Sequence, residues 1–227
     1  MKTITHSKNL CQITFLGFSN CWLLREADGF TLIDTSVGGC AEKIVSAARD
    51  CGAPIRRILL THAHGDHIGS LDALRELLGP VDIAISEREA PLLHKDMTLR
   101  ADEPKGKLKG GYPGAKSRPT HTLTDGELYG SLRCISTPGH TPGHMSFLDE
   151  RDGTLFSGDA LMSIGGLHLV TNPPWYFPLP KMATWDFPLA DASARRLLEY
   201  RPVCIATGHG AFVGNGTVEL ERALASL

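Results

Sequence analysis

Short apolar runs rich in β-branched residues alternate with stretches of helical periodicity along this chain, and that alternation confines it to an α/β architecture. Residues 12–17, 21–26 and 30–34 read as strands separated by turn-forming segments, which makes a meander. Residues 41–51 then place Ile44, Val45 and Ala48 at helical spacing, and Gly52-Ala-Pro stops that helix before an apolar strand at 58–61. The step repeats with a helix at 70–78, a strand at 82–86 and a short helix at 87–93. Residues 95–120 lack a sustained period and read as a long surface loop. Strands follow at 127–129, 132–137, 145–149 and 154–158, with Asp152-Gly153 as a hairpin turn. A segment rich in Gly, Pro and aromatics (163–188) leads to a helix at 190–200, a strand at 203–207 and a closing helix at 217–227.

The two halves echo each other. Gly29-Phe-Thr-Leu-Ile-Asp34 is like Gly153-Thr-Leu-Phe-Ser-Gly-Asp159, and Arg57-Ile-Leu-Leu-Thr-His62 is like Val203-Cys-Ile-Ala-Thr-Gly-His209. Two copies of one unit, packed sheet to sheet, would bring their strand-end loops to one edge; chance similarity of short apolar runs accounts for the echo equally well. The length of 227 residues suits a single domain over 1–227. With 23 basic and 25 acidic residues the chain has no bulk attraction for a phosphate backbone, so no nucleic-acid partner is expected. There is no apolar run of about 18 residues and no signal-peptide pattern at the start, which points to a cytoplasmic chain without membrane association. Six scattered cysteines with no C-x-x-C pair read mainly as reduced core thiols.

The chemistry concentrates in Thr61-His62-Ala-His64-Gly-Asp66-His67-Ile-Gly69, where an apolar strand ends and four metal-competent side chains fall within six positions. Imidazole and carboxylate together suit zinc, iron or manganese, and Gly65 and Gly69 permit a tight backbone. One segment supplies too few ligands for two closed sites, so further His or Asp residues are required at later strand ends. Thr137-Pro-Gly-His140, Ser157-Gly-Asp159 and Thr207-Gly-His209 supply them.

In this order and at these intervals the motifs resemble those of the metallo-β-lactamase superfamily, over about residues 12–214. The resemblance implies a four-layer αβ/βα sandwich with two facing mixed sheets and outer helices. It implies a first metal held by His62, His64 and His140, a second held by Asp66, His67 and His209, and Asp159 bridging both. Two divalent cations are expected, zinc first, with iron and manganese also accepted by such ligands. Asp34 is similar to the family's acid that orients a ligand histidine; capping of the next helix is the rival role for it. His144 matches a family histidine that is not a ligand. His6, His94 and His121 read as surface residues.

The family chemistry so implied is hydrolysis by a metal-bridging hydroxide, with Asp66 also moving the proton. Within the superfamily the sequence looks like the glyoxalase II and acyl-homoserine-lactone lactonase branch, so the substrate is expected to be a small-molecule ester, thioester or lactone. The run Asp159-Ala-Leu-Met-Ser lacks the tyrosine that similar lactonases carry after the bridging Asp, and the 18 residues after His209 leave no room for the glutathione-binding extension of glyoxalase II. A mononuclear-iron persulfide dioxygenase is the alternative, and a noncatalytic metal-binding protein the third reading. Substrate contacts are expected from His168, Trp175 and Tyr176, with Phe177 and Trp185 in the same aromatic segment. That segment is also compatible with a homodimer interface.

Overall fold

The computed structural model describes residues 1–227, which divide into two compact units. The first comprises residues 1–95 and 112–123, the second 96–111 and 124–227.

In the first unit the strands are β1 (Lys2–Ser7), β2 (Leu10–Phe15), β3 (Ser19–Glu26) and β4 (Gly29–Ile33), followed by α1 (Ala41–Asp50) and β5 (Ile55–Leu59). Next come α2 (Gly65–Ile68), α3 (Leu71–Leu78), β6 (Asp82–Ser86), α4 (Glu89–Leu93) and β7 (His121–Leu123). The seven strands form one sheet in sequence order. From β1 to β4 the pairing is antiparallel, and from β4 to β7 it is parallel. The continuous apolar character of β4 fits its position: every residue is buried, as in strands covered on both faces. Helix α1 buries Ala41, Ile44, Ala47 and Ala48 on one stripe and packs against α3, which buries Leu71 and Leu74.

In the second unit β8 (Leu128–Tyr129), β9 (Leu132–Ser136), β10 (Met145–Asp149) and β11 (Thr154–Gly158) precede β12 (Leu161–Met162) and β13 (His168–Leu169). Then come α5 (Leu179–Met182), α6 (Phe187–Glu199), β14 (Cys204–Thr207) and α7 (Gly216–Ala225). The sheet order is β14-β11-β10-β9-β8, with β14 parallel to β11 and the rest antiparallel, while β12 and β13 form a separate ladder. Ala194 and Leu197 of α6 and Leu220 of α7 pack with Ile135, Leu155, Leu169 and Ile205 in one apolar cluster. Burying each large aliphatic side chain there contributes roughly 1.5–3 kcal/mol.

Several elements differ from the sequence expectation. β1 and β7 fall outside it, because a polar alternation such as Lys2-Thr-Ile-Thr becomes a strand only by pairing with β2, and three residues carry no period. β5 begins three residues early, since the polar pair Arg56-Arg57 interrupts its apolar pattern, and it ends at Leu59, with the Leu60 amide still donating to the Ala84 carbonyl of β6. Helix α6 starts at Phe187 instead of 190: Asp186 accepts the Leu189 N–H, and Pro188 sits in the first turn, where no amide is missed. A short helix, α5, lies within the Gly- and Pro-rich segment. No helix is long and apolar enough to cross a membrane.

Candidate metal centre

The histidine-rich loop leaves the first sheet after β5 and is held by backbone bonds from strand-end segments of the same unit. Thr35 donates from both its amide and its hydroxyl to the His67 carbonyl, at 2.6 and 2.8 Å. The Gly69 amide donates to the Ser36 carbonyl, and the Ser19 hydroxyl to the Asp66 carbonyl. Between the two leading histidines, the Ala63 amide donates to Glu89 Oε1 at 2.9 Å, so a fully buried carboxylate on α4 pins the loop. Sequence alone did not mark Glu89, because only the fold brings α4 under the loop.

Neither Gly65 nor Gly69 adopts a positive φ. Gly69 is needed for space: a Cβ there would lie 2.4 Å from the Gly38 nitrogen and 2.5 Å from the Gly65 carbonyl oxygen. Gly69→Ala is therefore expected to lower stability by about 2 kcal/mol through backbone displacement. A urea titration checks it, and a midpoint equal to wild type would mean that the loop yields freely.

Asp34 is hydrogen-bonded to the histidine-rich loop. It does not cap α1, which begins at Ala41 with Cys40 as its capping residue. Its buried carboxylate accepts the Thr61 amide (2.8 Å), the Thr61 hydroxyl (2.8 Å) and His67 Nδ1 (2.8 Å). This network fixes tautomers. The single Thr61 hydroxyl proton goes to Asp34, so the 3.0 Å contact between Thr61 Oγ1 and His62 Nδ1 uses the proton on the imidazole. In the neutral rings of His62 and His67, Nδ1 is then the protonated nitrogen and Nε2 carries the lone pair. His62 Nε2 lies 3.1 Å from His64 Nδ1, near the roughly 3.3 Å that separates two nitrogens on one tetrahedral cation. Asp66, in the first turn of α2, keeps its carboxylate partly exposed, 3.8 Å from His67 Nε2. Tyr112 sets its ring edge-on to His64, with centroids 4.7 Å apart. Burial, with Glu89 adding to it, raises the Tyr112 hydroxyl pKa well above the usual range, so it is a neutral donor.

The second unit carries the other candidate ligands. His140 follows β9, and its Nδ1 is 2.9 Å from Thr184 Oγ1, whose own proton goes to the Pro180 carbonyl. His140 thus also donates from Nδ1 and holds its lone pair on Nε2. The Trp185 and Asp186 amides clasp the carbonyls of His140 and Gly139. Asp159, just after β11, places Oδ2 3.1 Å from His209 Nε2 and 3.5 Å from His140 Nε2. His209 follows β14, where its carbonyl accepts from the Ser163 amide and the Thr207 hydroxyl. Thr184, a hydroxyl in the aromatic segment, had no sequence signal because its partner lies 44 residues away.

The donor set fits divalent metal: buried imidazole nitrogens and carboxylate oxygens at ligand-to-ligand distances within each unit. His144 lies outside these groups of candidate ligands, bonded to the backbone at Asp159. It is fully buried and accepts the Asp159 amide at Nε2, 3.0 Å away. Of the expected substrate residues, His168 is half-buried on β13, where burial lowers its pKa. Trp175 is 89% exposed, and its ring stands edge-on to that of Tyr176. Phe177, the next residue, is the one whose ring sits beside His209, at 5.8 Å. Trp185 is buried.

A family model described as the metallo-β-lactamase superfamily matches residues 14–209. The chain belongs to that superfamily and has its fold. An uncharacterized protein of Bacillus subtilis (strain 168), YobT, is 44% identical over 97% of this chain and 97% of its own length. A hydroxyacylglutathione hydrolase of Xanthomonas euvesicatoria pv. vesicatoria (strain 85-10) is 34% identical over 72% of this chain, which spans 55% of that relative. Among solved structures, a di-iron-bound form of TTHA1623 is similar with a TM-score of 0.67 and 28% identity, over 92% of this chain and 95% of that one.

Proposed function

We propose that this chain is a metal-dependent hydrolase that cleaves an ester, thioester or lactone of a small molecule. In this reading His62, His64 and His140 hold one divalent cation, Asp66, His67 and His209 a second, and Asp159 serves both. The observation that supports it is the set of three buried histidines, His62, His67 and His140, each with Nδ1 hydrogen-bonded to a protein group, which puts the imidazole lone pair on Nε2. Membership of the superfamily and similarity to a hydroxyacylglutathione hydrolase support the hydrolytic assignment.

When bound, the cations lower the pKa of a water toward neutrality and polarise the scissile carbonyl. The chain's own residues do the rest. Asp66, the one partly exposed acid of the motif, accepts the proton of the attacking water and hands it to the leaving group. Asp34 and Thr184 hold the imidazoles in the required tautomer. Tyr112, set edge-on against His64, packs beside that imidazole. Phe177 offers an apolar face beside His209.

The test is metal analysis of gently purified protein, together with turnover of thioesters, lactones, esters and β-lactams with and without chelator. Roughly two zinc, iron or manganese ions per chain and chelator-sensitive hydrolysis are expected. One iron, oxygen consumption with persulfide and no hydrolysis would replace this reading with a dioxygenase.

A further inference from the structure

The sequence presents six cysteines as scattered core thiols, but the fold of the first unit brings two of them together. Cys11 on β2 and Cys51 at the end of α1 lie 40 positions apart, and their sulfurs are 2.9 Å apart. Both are thiols. A shift of under about 1 Å brings them to the S–S bonding distance of about 2.0 Å. Cys11 is buried between Thr5 on β1 and Leu23 on β3, with Thr5 Oγ1 3.7 Å from its sulfur, whereas Cys51 is half-buried and reachable from solvent. The Arg25 guanidinium, which also lies over the Phe30 ring, donates to the Cys51 carbonyl and anchors that end of α1 to β3.

We propose that Cys11 and Cys51 are a redox pair that closes to a disulfide under peroxide, with Cys51 as the attacking thiol and Cys11 as the resolving one. The Cys51 thiolate attacks a peroxide oxygen and breaks the O–O bond, leaving a sulfenic acid on Cys51 and releasing hydroxide. Cys11 then displaces the sulfenic oxygen: the S–S bond forms and the S–O bond breaks. The two thiol protons leave in two waters, so two thiols lose two electrons and one hydrogen peroxide gains them. The bond closes a loop around β3 and β4 that contains Asp34, and so cross-links the segment that orients the histidine-rich loop. The proposal is independent of the hydrolase reading.

Burial and the hydrogen bond to Cys11 push the Cys51 thiol up to about 12; Asp50 adds to the rise and Arg25 opposes it. The thiolate fraction is therefore small at pH 7, and closure should speed up about tenfold per pH unit between pH 7 and 9. The whole chain is treated with hydrogen peroxide, its remaining thiols are alkylated after unfolding, and the peptides are mapped by mass spectrometry. The expected product is a Cys11–Cys51 cross-linked peptide, about 2 Da lighter than the two thiol peptides and reversed by dithiothreitol. Oxidised protein should melt roughly 5–10 °C higher than reduced protein. In Cys11→Ser, Cys51 should instead advance to sulfinic acid. Full alkylation of Cys11 in oxidised wild-type protein, or cross-linking of Cys51 to another cysteine, would overturn the proposal without any variant having to fold.

Discussion

Replacing Asp34 with alanine should weaken divalent-metal binding by about 10–100-fold and cost about 4 kcal/mol of stability. The carboxylate accepts three hydrogen bonds in a buried position, from the Thr61 amide, the Thr61 hydroxyl and His67 Nδ1. Alanine leaves all three donors without their acceptor, and a buried unsatisfied donor costs about 1–3 kcal/mol. The metal effect follows from proton placement. Once the Thr61 hydroxyl no longer points at Asp34, it is able to donate to His62 Nδ1, which moves the imidazole proton to Nε2 and occupies the lone pair meant for metal. His67 loses the acceptor that fixes its own tautomer. Asp34 also sits at φ 59°, a left-handed backbone that asparagine tolerates better than alanine. Asp34→Asn thus separates the two causes. It keeps the backbone and one carbonyl oxygen, yet sets an NH₂ against either Thr61 or His67, so it should recover part of the stability and little of the metal affinity. Competition titration with a zinc chelator and urea unfolding read the two effects. Wild-type affinity in either folded variant would remove Asp34 from the metal centre.

How much of the fold and the metal centre is legible in the sequence depends on where each signal resides. Candidate ligands stand out because four metal-competent side chains within six positions seldom fall together except around a cation. The strands at 82–86, 145–149 and 154–158 match β6, β10 and β11 in both limits, since short segments with apolar centres and nearby turn residues define their own ends. Asp34 is marked through the family resemblance, whereas Glu89, Thr184 and the Cys11–Cys51 pair show the other case. Each acts on a partner 26 to 44 residues away, so its role exists only after the chain has folded. The aromatic segment carries one undifferentiated signal: an exposed Trp175 and a Phe177 beside His209 have the same local sequence character, and only tertiary placement tells them apart.

His144→Ala should destabilise the chain by about 3–4 kcal/mol, through a deleted buried ring and a buried amide left unpaired. Because His144 Nε2 accepts the Asp159 amide, its proton is on Nδ1 and goes to Thr137 Oγ1, 2.8 Å away. Thr137 passes its own proton to Ser146 Oγ (3.0 Å), and Ser146 donates to the Ser157 carbonyl (3.2 Å). Every hydroxyl in this relay is buried and donates in one direction, and the two ends fix the backbone on both sides of Gly158, immediately before the Asp159 carboxylate. Alanine breaks the relay at its source. Glutamine offers a carbonyl for the Asp159 amide and an NH₂ for Thr137, so His144→Gln should regain about half of the lost stability. Metal stoichiometry distinguishes positioning from ligation. If His144 only positions Asp159, the glutamine variant keeps the wild-type number of metal ions at somewhat weaker affinity. If His144 were itself a ligand, glutamine would restore the fold and leave the metal content as low as in alanine, because an amide does not replace imidazole on a transition metal.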